Sequence, residues 1–212
     1  MALALACVPG TQAQVTNLTN GSTINFSDLG TGEFSVLVGD KLFSDFSLNN
    51  YNASNVTVKG IEQGGDYGIQ FGTGFVDMNG VMDFQLSYVV SVTNSDNLIS
   101  GANLSFNGVV IGTNGGLAEV TEQIQTNNEV GVYGTMYVEV TPQMQLYSTN
   151  MVINPPQPAL SVDKDVVEYA VDLTYASIST IDQTFAQVPE PSTMVLAAAG
   201  LAGLLLLRRR RH

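Results

Sequence analysis

From Met82 to Thr93 the chain alternates between apolar and polar side chains. Met82, Phe84, Leu86, Tyr88, Val90 and Val92 share one parity, and Asp83, Gln85, Ser87, Ser91 and Thr93 take the other, with Val89 the exception. Successive side chains of a strand point to opposite faces, so this pattern buries one face and wets the other, as in an antiparallel sheet packed on one side. Val130, Val132, Gly134, Met136, Val138 and Val140 predict a second such row, opposite Tyr133, Thr135 and Glu139. Val167, Tyr169, Val171, Leu173 and Tyr175 predict a third. Shorter strands are expected over Phe34–Val38, Leu42–Leu48, Asn55–Ile61, Leu104–Ile111, Val120–Gln125 and Met144–Tyr147. Asn79-Gly80, Asn107-Gly108 and Asn114-Gly115-Gly116 read as turns between them, with Asn107-Gly108 the clearest two-residue hairpin. No window before the C-terminus has helical spacing. About eight to eleven strands with turns of this kind predict an all-β chain, an antiparallel β-sandwich that is jelly-roll-like.

Asn154-Pro155-Pro156-Gln157-Pro158 has the composition of a linker, but the thirty or so residues left before Val188 are too few for a second core. It reads instead as a long loop returning the last strands to the same sandwich, so residues 14–187 form one domain.

Charge restricts the partners. Lys41, Lys59 and Lys164 are the only cations before the tail, against eighteen acids, which leaves the body at −15. Nucleic-acid binding requires cations that displace condensed counterions, so nucleic acid is excluded as a partner. The single cysteine, Cys7, lies in the apolar stretch Ala2–Val8, which is followed by Thr11-Gln12-Ala13 and resembles the end of a secretory signal peptide with its start truncated. Cleavage there would make residues 1–13 the leader and leave no thiol in the mature protein. A lipid anchor on Cys7 is the rival reading of the same stretch.

The other end is more specific. Val188-Pro189-Glu190-Pro191-Ser192 precedes an apolar run at residues 194–207, then Arg208, Arg209, Arg210, Arg211 and His212. The prolines disfavour helix at Val188 and Glu190, which should therefore be extended. As a helix, the apolar run covers about 21 Å of a hydrocarbon core of roughly 30 Å. It forms one short C-terminal transmembrane helix if the bilayer thins and the arginine stems snorkel. The four arginines set the orientation, with the tail cytoplasmic and the body outside.

These three elements in this order resemble the PEP-CTERM sorting domain, also known as the ice-binding protein C-terminal domain, over residues 188–212. The resemblance implies an exosortase substrate. Val188, Pro189, Glu190, Pro191 and Ser192 would be the positions recognised by a membrane-embedded cysteine transpeptidase, which releases the body from an inner-membrane-anchored precursor to the cell surface or extracellular matrix. Two further stretches, Gly39-Asp40-Lys41-Leu42-Phe43-Ser44-Asp45-Phe46 and Thr184-Phe185-Ala186-Gln187, are similar to parts of PEP-CTERM proteins of unassigned function.

The inventory for catalysis is thin. The only histidine, His212, lies at the extreme tail, so nucleophile–histidine chemistry and His-ligated zinc have no residues to use. Gly64-Gly65 and Gly72-x-Gly74 open no helix and read as turns. Paired carboxylates could hydrolyse glycosides, but nothing in the sequence singles out two of the eighteen acids. Asp163 with Asp165, and Asp96 beside Asn94 and Asn97, are weak calcium candidates that read equally well as turns. No other cofactor is expected. The leading expectation is a non-enzymatic surface or matrix protein. The first alternative is a glycan-binding module associated with exopolysaccharide, and the second a carboxylate-dependent polysaccharide-active enzyme.

Overall fold

The computed structural model describes residues 14–29, 34–78, 80–112, 115–126, 131–171 and 174–189. The expected leader at 1–13, Glu190–Ser192, the apolar run 194–207 and the arginine tail lie outside these residues.

The described chain is all-β, with two short 3₁₀ turns at Phe26–Leu29 and Ala53–Asn55. Its strands are β1 (Gln14–Asn17), β2 (Thr23–Asn25), β3 (Phe34–Val38), β4 (Lys41–Asn49), β5 (Thr57–Gln63), β6 (Asp66–Met78), β7 (Val81–Val92), β8 (Asn97–Ile111), β9 (Gly116–Thr126), β10 (Val132–Val140), β11 (Gln145–Leu146), β12 (Ser148–Gln157), β13 (Ala159–Ala170) and β14 (Tyr175–Pro189). An eight-stranded sheet runs β1-β3-β4-β7-β13-β9-β10-β11, and a six-stranded sheet runs β12-β8-β14-β6-β5-β2. The pairings are antiparallel except β1 with β3. From β6 to β9 and again from β12 to β14, consecutive strands alternate between the sheets, so the two layers are laced into one sandwich.

Its core is where the alternation pattern placed it. Phe84, Leu86, Tyr88 and Val90 of β7 are buried, and they face Leu104 and Phe106 of β8, Ile69 and Phe71 of β6, and Ile181 and Phe185 of β14 across the interior. Tyr88 lies in an aromatic cluster, with ring centroids 5.9 Å from Phe43, 5.9 Å from Phe46 and 5.8 Å from Phe71. Desolvation pushes its phenol well above the usual tyrosine range.

Several expectations are corrected. Asn107-Gly108 is no hairpin, because both residues lie inside β8, with Gly108 opposite Ile178. The glycine is needed for space, since an added Cβ would drive into the Phe106 ring. Gly64 and Gly65 do form the two-residue turn between β5 and β6, both at positive φ, whereas Gly72 and Gly74 lie within β6. The proline-rich segment up to Gln157 is not a loop but the end of edge strand β12. Its ladder on β8 lapses between Val152 and Gln157, where prolines without N–H are tolerated. In β10 a register shift between Val132 and Gly134 turns Val132 outward, 56% exposed, and packs Tyr133 against the core.

The third expected row has the wrong phase. β13 ends at Ala170, and its buried residues are Leu160, Val162, Lys164, Val166, Glu168 and Ala170, while Tyr169 is partly exposed. The inward face therefore carries a lysine and a glutamate.

Candidate functional site

β14 continues through Val188, opposite Leu98, and Pro189, opposite Asn97, so Val188 is extended as expected, but the start of the segment belongs to the sheet rather than standing clear of the domain, and Glu190 lies outside the described residues. Just before them, Gln187 is gripped from the other sheet. Lys41 is fully buried at the start of β4, and its Nζ donates to Gln187 Oε1 at 2.6 Å and to Asp40 Oδ1 at 2.6 Å. One strand turn further in, the Phe43 and Phe185 rings lie 6.1 Å apart. The two stretches singled out in the sequence, 39–46 and 184–187, are thus in direct contact across the sandwich. The β3–β4 turn that positions Lys41 needs Gly39, which has a φ of +59° and whose added Cβ would drive into the Tyr67 ring.

The open face of the eight-stranded sheet supplies a second feature. Register places Asn49, Gln85, Asp165, Thr121 and Tyr137 in one row across β4, β7, β13, β9 and β10. The adjacent row is Ser47, Ser87, Asp163, Gln123 and Thr135. Between them lies an open trough of about 350 Å³ lined by Asn49, Gln85, Ser87, Thr121, Gln123 and Asp165, among others. Tyr137, 48% exposed, ends the first row. Asp165 is pushed above the usual carboxylate range, chiefly by desolvation, then by the Asp83 charge and a hydrogen bond shared with Asp83, and last by Glu119.

Two of the three calcium candidates, Asp163 and Asp165, stand side by side on β13. Asp96 sits apart in the β7–β8 turn, where the Asn94 side chain accepts its backbone N–H at 3.0 Å. The structure does not bring the three together. Among the described residues no group of three or more His, Cys, Asp or Glu side chains is placed to hold a metal. Sequence reasoning missed the trough because its rows are assembled from five strands distant in the chain. A signal was present in the short polar side chains recurring on the outward parity of β7 and β9.

Residues 187–211 match the family model described as the PEP-CTERM protein-sorting motif. The tail is a PEP-CTERM sorting motif. It marks the chain as an exosortase-sorted protein of the cell surface or exterior, and β14 feeds into it without an intervening linker. No curated protein matches the chain. Among solved structures, it is similar to TmCBM61 in complex with β-1,4-galactotriose, at 16% identity over 68% of this chain and 82% of that one, with a TM-score of 0.27. A family 11 carbohydrate-binding module from Clostridium thermocellum, in complex with a β-1,3-1,4-mixed-linked tetrasaccharide, is similar at 12% identity over 67% and 86%, with a TM-score of 0.28. The Gap123 glycosylation-associated complex from Streptococcus agalactiae is similar at 10% identity over 66% of this chain and 26% of that one, with a TM-score of 0.31. At these TM-scores the likeness supports no statement about what this chain binds.

Proposed function

We propose that this protein is a non-enzymatic component of the cell surface or extracellular matrix, delivered as a folded, jelly-roll-like sandwich by its sorting motif. The apolar run 194–207 spans the inner membrane in the precursor, with Arg208–Arg211 in the cytoplasm, until the processing enzyme acts. The observation that carries this reading is the continuity of β14 with the motif: Val188 and Pro189 are the last rungs of the β8 ladder and the first residues of the signal. The body is built to hold the signal at its surface.

The carboxylates support a body without turnover. Glycosidase pairs flank the scissile bond at separations of about 5–9.5 Å. Asp83 stands close enough to Asp165 to raise its pKa, and the two lie on adjacent strands of one open sheet face rather than on facing walls. Asp163 and Asp165 rise together from one strand rather than from opposite walls. Mass spectrometry of protein recovered from native cells tests the reading. A mature chain lacking the arginine tail and found outside the membrane is expected, and intact cytosolic protein ending at His212 would refute it.

The trough favours a second reading, glycan binding. Its amides, hydroxyls and carboxylates offer the hydrogen-bonding groups that a neutral or cationic polysaccharide uses, and Tyr137 offers a ring for stacking on a sugar face. Affinity electrophoresis through gels containing native exopolysaccharide should show retardation that Tyr137→Ala and Gln85→Ala abolish. Equal mobility of wild type and variants in every polysaccharide would remove the reading.

A further inference from the structure

Inside the sandwich, beneath the trough that Lys164 also borders, lies a group of polar side chains that neither the trough nor the motif accounts for. Lys164 on β13 pairs in register with Glu122 on β9, and its Nζ donates to Glu122 Oε2 and, at 2.7 Å, to Gln183 Oε1 on β14 of the opposite sheet. Lys164 is 2% exposed, and Glu122 and Gln183 are fully buried. Their neighbours on the inward faces are Val162, Val166, Leu86, Ile181 and Phe185, all buried. Burying an ion pair in such surroundings is no gain over well-packed hydrophobes. A network left partly unsatisfied is worse than an apolar core. This one is partly unsatisfied at two atoms, Glu122 Oε1 and Gln183 Nε2, which are buried and make no hydrogen bond.

Those two atoms are an acid–base oxygen and an amide nitrogen, and the third partner is an amine. We propose that Lys164 and Gln183 form an intramolecular isopeptide bond that joins the two sheets, with Glu122 as the proton carrier. The attacking atom is Nζ. It lies 2.7 Å from Oε1, so the amide carbon Cδ is only a bond length of about 1.2 Å beyond that oxygen. Glu122 first takes one proton from the Lys164 ammonium, leaving a neutral amine. The Nζ–Cδ bond forms as the Cδ–Nε2 bond breaks. Nε2 leaves as ammonia, receiving its third hydrogen through Glu122, which regains a proton from Nζ and ends as a neutral acid. Five hydrogens enter on the amine and amide and five leave, on the new amide, the ammonia and Glu122. Nothing is oxidised or reduced, and no co-reactant is needed.

Desolvation supplies the nucleophile, because burial lowers the Lys164 amine well below the usual lysine range. The fold supplies proximity. Intramolecular groups held in reacting geometry reach effective concentrations of about 10⁵–10⁸ M, and exclusion of water keeps hydrolysis from competing. The product removes the buried charges and takes up the unpartnered amide. It also gives a two-layer body that contains no cysteine a covalent tie between layers.

Full-length protein purified after folding should be lighter than its sequence by one ammonia, about 17 Da. Cyclisation of Gln14, were it to become the N-terminus, would give the same loss. The deciding result is therefore a branched peptide, joined through Lys164 and Gln183, in tandem mass spectra of a proteolytic digest. Glu122→Gln preserves hydrogen bonding but carries no proton, and should give a folded sandwich by circular dichroism with the branched peptide absent; Lys164→Met should lack it as well. Separate linear peptides containing Lys164 and Gln183 in folded wild-type protein would overturn the proposal. So would a branch joining Lys164 to Glu122, with loss of water instead of ammonia, or a branched peptide that persists in Glu122→Gln.

Discussion

The Lys41 clamp makes an asymmetric prediction. Lys41 is fully buried, whereas the side chain of Asp40 retains 21% of its exposure. Asp40→Asn leaves an ammonium locked in the sandwich with only neutral acceptors. Lys41→Met leaves a carboxylate that can turn toward water, while the methionine keeps the packing of the lysine stem. Removing one partner of a buried pair costs about 3–5 kcal/mol, and the partial exposure of Asp40 places Asp40→Asn at the lower end, about 3 kcal/mol. Lys41→Met should cost about 1 kcal/mol, the ordinary size for a substitution that leaves no stranded charge. At about 2–4 °C per kcal/mol for a domain of this size, the midpoint should fall by about 6–12 °C for Asp40→Asn and about 2–4 °C for Lys41→Met. The double variant should resemble Lys41→Met alone, because the stranded ammonium is gone. Calorimetry measures all three, and hydrogen exchange at Gln187 and Val188 should report faster opening of the strand end in Asp40→Asn. A midpoint for Asp40→Asn equal to or above that of Lys41→Met would refute the reasoning, since it would mean that Lys41 reaches water.

Gly68→Ala should be more disruptive than any surface change. Its Cβ would drive into Gln183 O and come within 2.7 Å of Thr184 Cα, both backbone atoms of the neighbouring strand. A loss of at least about 3 kcal/mol is expected in urea unfolding, and a midpoint within experimental error of wild type would refute the close approach. Asp165→Asn should raise stability at neutral pH. The folded-state pKa of Asp165 lies above its unfolded value of 3.8, so its protonation contributes stability that is present below 3.8 and lost as pH rises through the folded value. The variant's advantage should be seen in thermal scans at pH 7 and vanish toward pH 3; an advantage that persists there would show that charge is not its cause. Replacing Arg208, Arg209, Arg210 and Arg211 together by alanine should abolish the fixed orientation of the tail. Fractionation should then find unprocessed protein, and normal surface delivery would count against a stop-transfer role.

Much of this fold was legible from periodicity. β3 spans Phe34–Val38 as expected, and the buried row of β7 falls on the expected parity, because each has an apolar face that one strand's sequence suffices to define. The sorting motif was legible for a different reason, since its elements are contiguous in the chain. Errors arose where local signals had a non-local cause. Asn107-Gly108 carries the residues of a type I′ turn, yet its glycine answers to the Phe106 ring and its asparagine donates to Ser179 Oγ at 2.8 Å, seventy-two residues away. With fourteen strands among the described residues rather than the expected eight to eleven, several of the missed elements are short edge pieces such as β2 and β11. Their pairing depends on neighbours more than on composition.

The misreading of β13 is the most informative. In Val162-Asp163-Lys164-Asp165-Val166-Val167-Glu168-Tyr169-Ala170 both parities mix apolar and charged residues, so period two alone cannot say which faces inward. Choosing the row of Val167 and Tyr169 kept Lys164 and Glu168 in water, which is the cheaper assignment for a strand considered by itself. The structure takes the other phase because the charges find partners that the strand does not contain. Glu122 is forty-two residues away, Gln183 is nineteen, and Ile178 donates its backbone N–H to Glu168 at 2.6 Å. Each partner comes from a different point on the chain, and none is visible in β13 itself. A sequence that places a lysine on the inner face of one sheet, a glutamate beside it and a glutamine across from it has given up hydrophobic area at three aligned positions. The strand that carries Lys164 also floors the trough, but its side chain turns inward to Glu122 and Gln183, and the proposed cross-link accounts for that concession.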